Sequence, residues 1–329
     1  MTSTPHGDTG GALPTVTIGL PVYNGVEYLS QSLDALLAQT WTDYELVISD
    51  NASTDSTADI CLDYARLDDR IRYIRQPVNI GAAPNHNFVA QQARGRYFKW
   101  ASHDDLYAPE LLEKCLAVLE SRPEVVLAHC WDALVDEDGS VVEQAPYALD
   151  TANPDPVARL RSLLYTPGGN DFYGVMRTDV LWRVGPHGTY YNADRTIVTA
   201  LCLQGPFEQV PEVLYWRRDH ADRASRAGDR RAIAAALGPE RADRWRHPMP
   251  RMYVEYVYGF LQAIARAPLT PAERARCVGE VGRWFWSCLP PGRSRRALEP
   301  LAPTAAPPNA APPDAAPPDA GSSRTDVAG

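Results

Sequence analysis

His103-Asp104-Asp105 follow directly on the apolar run Tyr97-Phe98-Lys99-Trp100-Ala101. Two adjacent carboxylates at the end of a buried strand are costly unless a positive group neutralises them. A divalent cation with a phosphate behind it meets that need, because such an ion takes one or two carboxylates and fills its other positions with phosphate and water oxygens. An isolated Asp-Asp pair is more commonly a solvated loop, so the reading rests on what else the chain places at the same edge.

The elements that would position this tripeptide come from the first half of the chain. Residues 16–20 (VTIGL) read as a strand, followed by the turn PVYNG and a helix in which Leu29, Leu33, Leu36 and Leu37 recur at spacings of three and four. Residues 44–50 (YELVISD) are a second strand, and Ser53, Thr54 or Asp55 can cap the helix after it. Residues 71–75 are a third strand, with a helix behind the Gly81 turn that Asn85 could cap. Residues 97–102 are a fourth, followed by a helix over 109–121 with Pro109 in its first turn. Residues 125–130 (VVLAHC) make a fifth. This alternation predicts an α/β fold, a mostly parallel sheet flanked by helices. Ligands of such sheets bind at the carboxyl ends of the strands. Pro21, Tyr23 and Asn24 after strand one, Asp50 and Asn51 at the end of strand two, and His103-Asp104-Asp105 after strand four should therefore open onto one edge.

The rest of the chain sets bounds. With 329 residues, 45% hydrophobic, it is long enough for one large or two modest domains. Its formal charge of −9 argues against nucleic acid as a partner. The six cysteines (Cys61, Cys115, Cys130, Cys202, Cys277 and Cys288) are scattered without a C-x-x-C pair, as expected for reduced thiols in a cytoplasmic protein. No apolar run reaches membrane-spanning length, and the first residues lack the features of a secretory signal. Residues 1–14 are expected to be a disordered N-terminus. Residues 131–228 are more irregular, 229–292 are helical again, and 293–329 form a Pro/Ala-rich tail in which AAPP followed by Asn or Asp repeats three times, expected to be disordered.

Four ordered motifs, LPVYNG (20–25), VISDNASTD (47–55), NIGAAPNHN (79–87) and ASHDDLYAPELLE (101–113), together resemble family 2 glycosyltransferases of the GT-A fold over about residues 16–220. The resemblance implies a GT-A domain over 15–228, with a nucleotide-binding half to residue 130 and an acceptor-side half after it. It implies an inverting, metal-dependent transfer of a sugar from a nucleoside diphosphate to an acceptor hydroxyl. A divalent metal, Mn2+ or Mg2+, would stabilise the charge that builds on the departing diphosphate. His103-Asp104-Asp105 takes the place of the family's D-x-D motif, with His103 standing where the strict pattern has Asp. Asp105 is then the metal ligand, and Asp104 supports the ribose or the metal. Pro21, Tyr23 and Asn24 border the nucleotide, Asp50 accepts a hydrogen bond from base or ribose beside Asn51, and Asn79 and Gly81 shape the wall near the diphosphate. On the acceptor side Asp194, in an Ala-Asp pair where the family often has Glu-Asp, is the general base, with Asp171 as its alternative. His220, after an Arg-rich segment, completes the metal site.

Other roles stay open at this level. Asp50 and Asn51 also suit a turn, Asp194 also suits a helix start, and Gly81 is explained by backbone freedom alone. Arg217, Arg218 and Arg223 suit either the diphosphate or a solvated face. Trp182 and Trp216 suit either a sugar or the core. The helical segment could shape the acceptor cleft, form a homodimer surface or, through Trp284, Phe285 and Trp286, touch a membrane. The acceptor could be a glycan, a lipid carrier or a small metabolite. Competing readings are a degenerate nucleotide-sugar-binding module without activity, and a sugar-nucleotide pyrophosphorylase. The latter is disfavoured because PVYNGVEYLS carries one glycine and no basic residue.

Overall fold

The chain is described here from a computed structural model covering residues 13–144, 149–166, 170–190, 192–220 and 230–288. The expected disordered stretches therefore lie outside the described residues, apart from Leu13 and Pro14. Four parallel strands form one side of the sheet in the order β3-β2-β1-β4: β1 (Val16–Val22), β2 (Tyr44–Asp50), β3 (Ile71–Arg75) and β4 (Tyr97–Trp100). All residues of β1, β2 and β4 are buried, as a sheet covered on both faces demands. The covering helices are α1 (Leu29–Leu37), α2 (Thr57–Leu67), α3 (Ala82–Gln91) and α4 (Leu111–Ser121). The strand order reverses between β1 and β4, so the crevice at a carboxyl edge lies between the loops that leave these two strands.

β4 ends at Trp100, two residues short of the expected strand, and is followed by a two-residue strand, β5 (Leu106–Tyr107), too short to be read from the sequence. β6 (Leu127–Val135) begins where a strand was expected and continues through the stretch taken as irregular. Antiparallel β7 (Val141–Gln144) pairs with it. β8 (Val175–Arg177) lies antiparallel between β4 and β6. β9 (Phe207–Arg218) runs parallel to β6 and antiparallel to β5. Its register slips around Trp131, opposite Pro211 and Glu212, where a proline cannot donate to the ladder. The sheet is thus mostly parallel and mixed only on its far side.

Between these strands lie α5 (Pro156–Tyr165), α6 (Thr178–Val184) and α7 (Ala193–Cys202), with Asp194 in the first turn of α7. After α8 (Arg230–Leu237), α9 (Met249–Arg266) packs on α7 and α10 (Pro271–Cys288) packs on α5 and α9. Leu160, Leu164, Leu203, Tyr256, Phe260, Ile264 and Val281 form their common core. No described helix is long and apolar enough to cross a membrane.

One buried carboxylate staples the parallel half. Glu45 on β2 accepts from Thr17 Oγ1 at 2.7 Å, Arg94 Nε at 2.9 Å and Arg72 Nη1 at 3.0 Å, tying β1, β3 and the segment after α3. Burial alone would raise its carboxyl, but the hydrogen bonds from Arg94 and Thr17 and the nearby charges hold it below the usual range. A depressed folded value means that this contribution is present above the unfolded carboxyl range and is lost as pH falls through the folded one. Glu45→Ala should cost about 2 kcal/mol at pH 7, because the Arg94 side chain is 50% and that of Arg72 29% exposed. In urea denaturation the gap to the parent should close as the pH falls below about 4; a gap independent of pH would refute an ionic staple.

Candidate functional site

The loop from Ser102 to Asp105 is gripped from three sides. Tyr107 Oη accepts from Ser102 N at 2.8 Å and donates to Ser102 O at 3.0 Å. Ser32 Oγ on α1 donates to the same carbonyl at 2.8 Å. Across the crevice, a Cβ on Gly25 would lie 2.7 Å from the His103 ring, so a larger residue there would push the two strand-end loops apart. The loops after β1 and β4 are in contact, as the strand-end rule required.

The two aspartates face different ways. Asp105 is 2% exposed: its Oδ1 accepts Arg218 N at 2.9 Å and its Oδ2 accepts the Tyr215 hydroxyl, both from β9. Asp104 stands at the edge, its Oδ1 accepting the Ser102 hydroxyl and its Oδ2 lying 3.0 Å from His220 Nε2. The side chains of Asp104 and His220 are 12% and 10% exposed, screened yet reachable. The His220 ring rests on Tyr28, centroids 4.9 Å apart. Arg218 is buried over Tyr28, and its guanidinium donates to Asp104 O at 3.1 Å and Gln31 Oε1 at 2.7 Å. A carboxylate beside an imidazole is an oxygen and nitrogen donor pair that suits a divalent cation keeping phosphate and water as its other ligands. Asp104 and His220 therefore fit the implied metal.

At the ends of β1 and β2, Pro21 is buried within β1 and Tyr23 and Asn24 are exposed beyond it. Asn24 adopts a left-handed backbone (φ 51°). Its Oδ1 accepts Thr54 N at 2.9 Å, and its own N–H donates to Ser53 Oγ at 2.9 Å. Asp50 is fully buried and accepts Ser53 N at 2.8 Å, Tyr73 Oη at 2.9 Å and Arg75 Nη1 at 2.8 Å, so the turn role is satisfied in full. Asn51 Oδ1 accepts Ile80 N at 2.8 Å and its amide donates to Asn79 Oδ1 at 3.0 Å, joining the second and third loops. Gly81 has φ 90°, and a Cβ there would meet Leu237 O at 2.9 Å. Asn85 does not cap α3: it lies buried inside the helix and exchanges hydrogen bonds with Ser49 on β2. Of the three candidate capping residues before α2, Asp55 accepts from Thr57 N at 3.0 Å, from the position before the N-cap Ser56.

Asp194 sits in the first turn of α7, partly buried, with Oδ1 on Arg195 N at 2.9 Å. Burial raises its carboxyl above the ordinary value, against that N–H and the Arg195 charge. The ring of His86 on α3 lies against Phe172 and His187, near enough to His103 and Asp194 to feel their charges. Burial pushes His86 down to about 4, so its imidazole is neutral at neutral pH. Asp171 is fully buried, 3.9 Å from His129, and does not face solvent. Trp216 is core and Trp182 is exposed. Arg217 pairs with Asp132 rather than lying on a solvated face, and Arg223 lies outside the described residues. Among the described residues no group of three or more His, Cys, Asp or Glu side chains is arranged to hold a metal, so a cation here would rely on the Asp104 and His220 pair. Sequence reasoning overlooked Tyr28, His86, Arg75 and Tyr215. His86 alone had a local signal, lying inside the NIGAAPNHN motif.

A doubly wound sheet whose acidic loop and first two strand-end loops meet at its switch point has the architecture of the GT-A nucleotide-sugar fold. The chain belongs to glycosyl transferase family 2, whose description matches residues 17–184, just over half of it. An uncharacterised glycosyltransferase of Rickettsia typhi is 35% identical over 125 residues, 38% of this chain and 38% of that protein. The chain thus spans well under half the length of this relative. Among solved structures, Staphylococcus aureus TarS 1–349 in complex with UDP-GlcNAc has a TM-score of 0.58 at 17% identity, over 83% of this chain and 73% of that one. The mannosyltransferase PcManGT of Pyrobaculum calidifontis, in complex with GDP-Man and Mn2+, has a TM-score of 0.50 at 18% identity, over 84% and 89%. At these identities the likeness is one of fold.

The two aspartates should separate by stability. Asp105→Ala leaves a buried hydroxyl and a buried N–H without an acceptor and should cost about 3 kcal/mol. Asp104→Ala, at the solvent edge, should cost about 1 kcal/mol or less. Thermal melting of both variants checks this, and equal losses would contradict the assignment of Asp105 to the scaffold.

Proposed function

We propose that this chain transfers a sugar from a nucleoside diphosphate donor to an acceptor hydroxyl, with inversion at the anomeric carbon and with a divalent cation held by Asp104 and His220. The observation that carries the reading is the Asp104–His220 pair, standing where the strand order reverses while its neighbour Asp105 is consumed by the scaffold. This moves the metal contact expected of Asp105 by one residue. Asp105 becomes a positioning residue that holds Asp104 outward. The bound cation, Mn2+ or Mg2+, would supply positive charge to the leaving diphosphate.

The chain's own residues do the rest. Pro21, Tyr23, Asn24, Asp50, Asn51 and Asn79 border the nucleoside, with Asp50 and Asn51 acting through the loops they fix. Asp194 takes the proton of the acceptor hydroxyl as that oxygen attacks the anomeric carbon. A carboxyl raised by burial suits a general base, because its strength lies closer to the working pH. His86, kept neutral by burial, adds no full positive charge to that of Arg195 near this carboxyl. Residues 15–228 would form the transferase domain, with 229–292 packed as a helical segment on its acceptor side.

A thermal-shift panel of UDP, GDP, dTDP and CDP, each with and without Mn2+, tests the reading, since ligands that bind only the native state raise its melting temperature. UDP and GDP head the panel because TarS and PcManGT are solved with UDP-GlcNAc and GDP-Man. One nucleotide should give a metal-dependent shift that Asp104→Ala removes. No shift with any diphosphate would overturn the proposal, and a shift without turnover for any donor would favour a binding module. Asp194→Asn should keep the shift and lose transfer by about a hundredfold or more. In the parent, the transfer rate should fall on the acid side with a midpoint above the ordinary Asp value of about 3.9; normal turnover by Asp194→Asn would exclude it as the base.

A further inference from the structure

The carboxyl-terminal helices carry an exposed apolar surface that includes none of the candidate site residues. α9 buries Met252, Tyr256, Phe260, Ala263 and Ile264, and its opposite face presents Val254, Tyr258 and Leu261, spaced by four and three residues. Val254 is 67% and Tyr258 57% exposed, where a surface helix ordinarily places charge. The short connection over 267–270 turns α10 back along α9, and Trp284 packs edge-on against Tyr256 and Phe260, at 5.6 and 5.4 Å. The last turn of α10 therefore lies at the same end as the first turns of α9. At that end Phe285 and Trp286 are exposed, Trp286 by 69%, and Trp245, four residues before α9, is 90% exposed. Apolar side chains gathered in this way mark a surface that something covers.

Charge says what. Residues 230–288 hold ten arginines and no lysine against five carboxylates, a formal charge of +5 in a chain whose total is −9. Arg244 and Arg246 flank Trp245, both exposed, and Arg251 and Arg283 lie at the same end of the pair; Arg246, Arg251 and Arg283 also meet Asp243, Glu255 and Glu280, yet each keeps more than half of its side chain in solvent. In sequence Arg293, Arg295 and Arg296 follow α10. A symmetric pairing of this surface with a second copy would set like charge against like. Exposed Trp and Tyr among arginines instead match the headgroup layer of an anionic membrane, where indole and phenol rings settle at the interface and guanidinium groups meet lipid phosphates.

We propose that this end of the α9–α10 pair docks on an anionic lipid bilayer, with Trp245, Trp286 and the α9 stripe entering the headgroup layer and the flanking arginines pairing with lipid phosphates. This surface is independent of the sugar-transfer reading and stands whether or not the chain turns over a donor.

The test is sedimentation of the full chain with vesicles of phosphatidylcholine alone or with roughly a third phosphatidylglycerol. Binding should be at least about tenfold tighter to the anionic vesicles, weaken with added salt and shift tryptophan fluorescence to the blue. Trp245→Ser with Trp286→Ser, and separately Arg244→Glu with Arg246→Glu, should each reduce binding about tenfold or more with melting temperature unchanged, because all four side chains are exposed. No binding to anionic vesicles at low salt would overturn the proposal. So would binding that both double variants leave intact. A concentration-dependent dimer in analytical ultracentrifugation, lost in the tryptophan variant and unaccompanied by vesicle binding, would give the surface to a second copy instead.

Discussion

A carboxylate taken out of water must be met by donors, and Asp105 is where this sheet edge meets that demand. Its partners, the Tyr215 hydroxyl and the Arg218 N–H, both belong to β9, more than a hundred residues away in sequence. β5 has two residues and could not fix a loop by its own ladder. The carboxylate extends that short pairing by one more rung, so the acidic loop becomes part of the sheet. Because the end of β9 is held there, His220 two residues later arrives beside Asp104.

The same loop is balanced from beneath by a buried cation. Lys99 is 1% exposed; its ammonium donates to Tyr173 O and lies 5.0 Å from the Tyr107 ring centroid and 5.6 Å from that of Tyr215. Burial pushes it down to about 8, which leaves it mostly charged at neutral pH. The two rings are stacked 5.5 Å apart, and their hydroxyls hold Ser102 and Asp105, the two ends of the loop. A cation facing both rings favours the stacked pair, and through it the spacing of those ends. Positive charge inside the sheet and negative charge at its edge are thus parts of one arrangement, which leaves Asp104 as the outward carboxylate.

The parallel half was legible because its signals are local. The strands at 44–50 and 71–75 coincide with β2 and β3, and the α1 leucines occupy the expected buried face. The strand-end rule then brought the right loops together. Which aspartate of the pair points outward was not legible, because successive residues of an extended segment face opposite ways and the answer depends on where β4 stops. Expected to run to Ser102, it stops at Trp100. β5 and the Tyr215 contact depend on pairing with a strand that comes late in the chain, and no local pattern records a pairing. Arg75 escaped notice for a related reason: its ion pair with Asp50 exists only because β2 and β3 are adjacent in register.

The NIGAAPNHN segment shows how one short motif can serve both halves. Asn85 exchanges hydrogen bonds with Ser49 on β2, whereas two residues later Asn87 Nδ2 donates to His187 O at 2.8 Å and its Oδ1 accepts His187 N at 2.7 Å. His86, between them, donates from Nδ1 to Ala82 O at 2.8 Å if it carries its proton there, and its ring lies against Phe172 and His187. α3 is therefore fastened on one side to the strand that carries Asp50 and on the other to the segment leading into α7 and Asp194. A helix pinned to both sides by Asn85 and Asn87, two residues apart, resists displacement better than a loop would. The imidazole at the centre stays neutral because it is buried, so it fills this joint without forming an ion pair with Asp194.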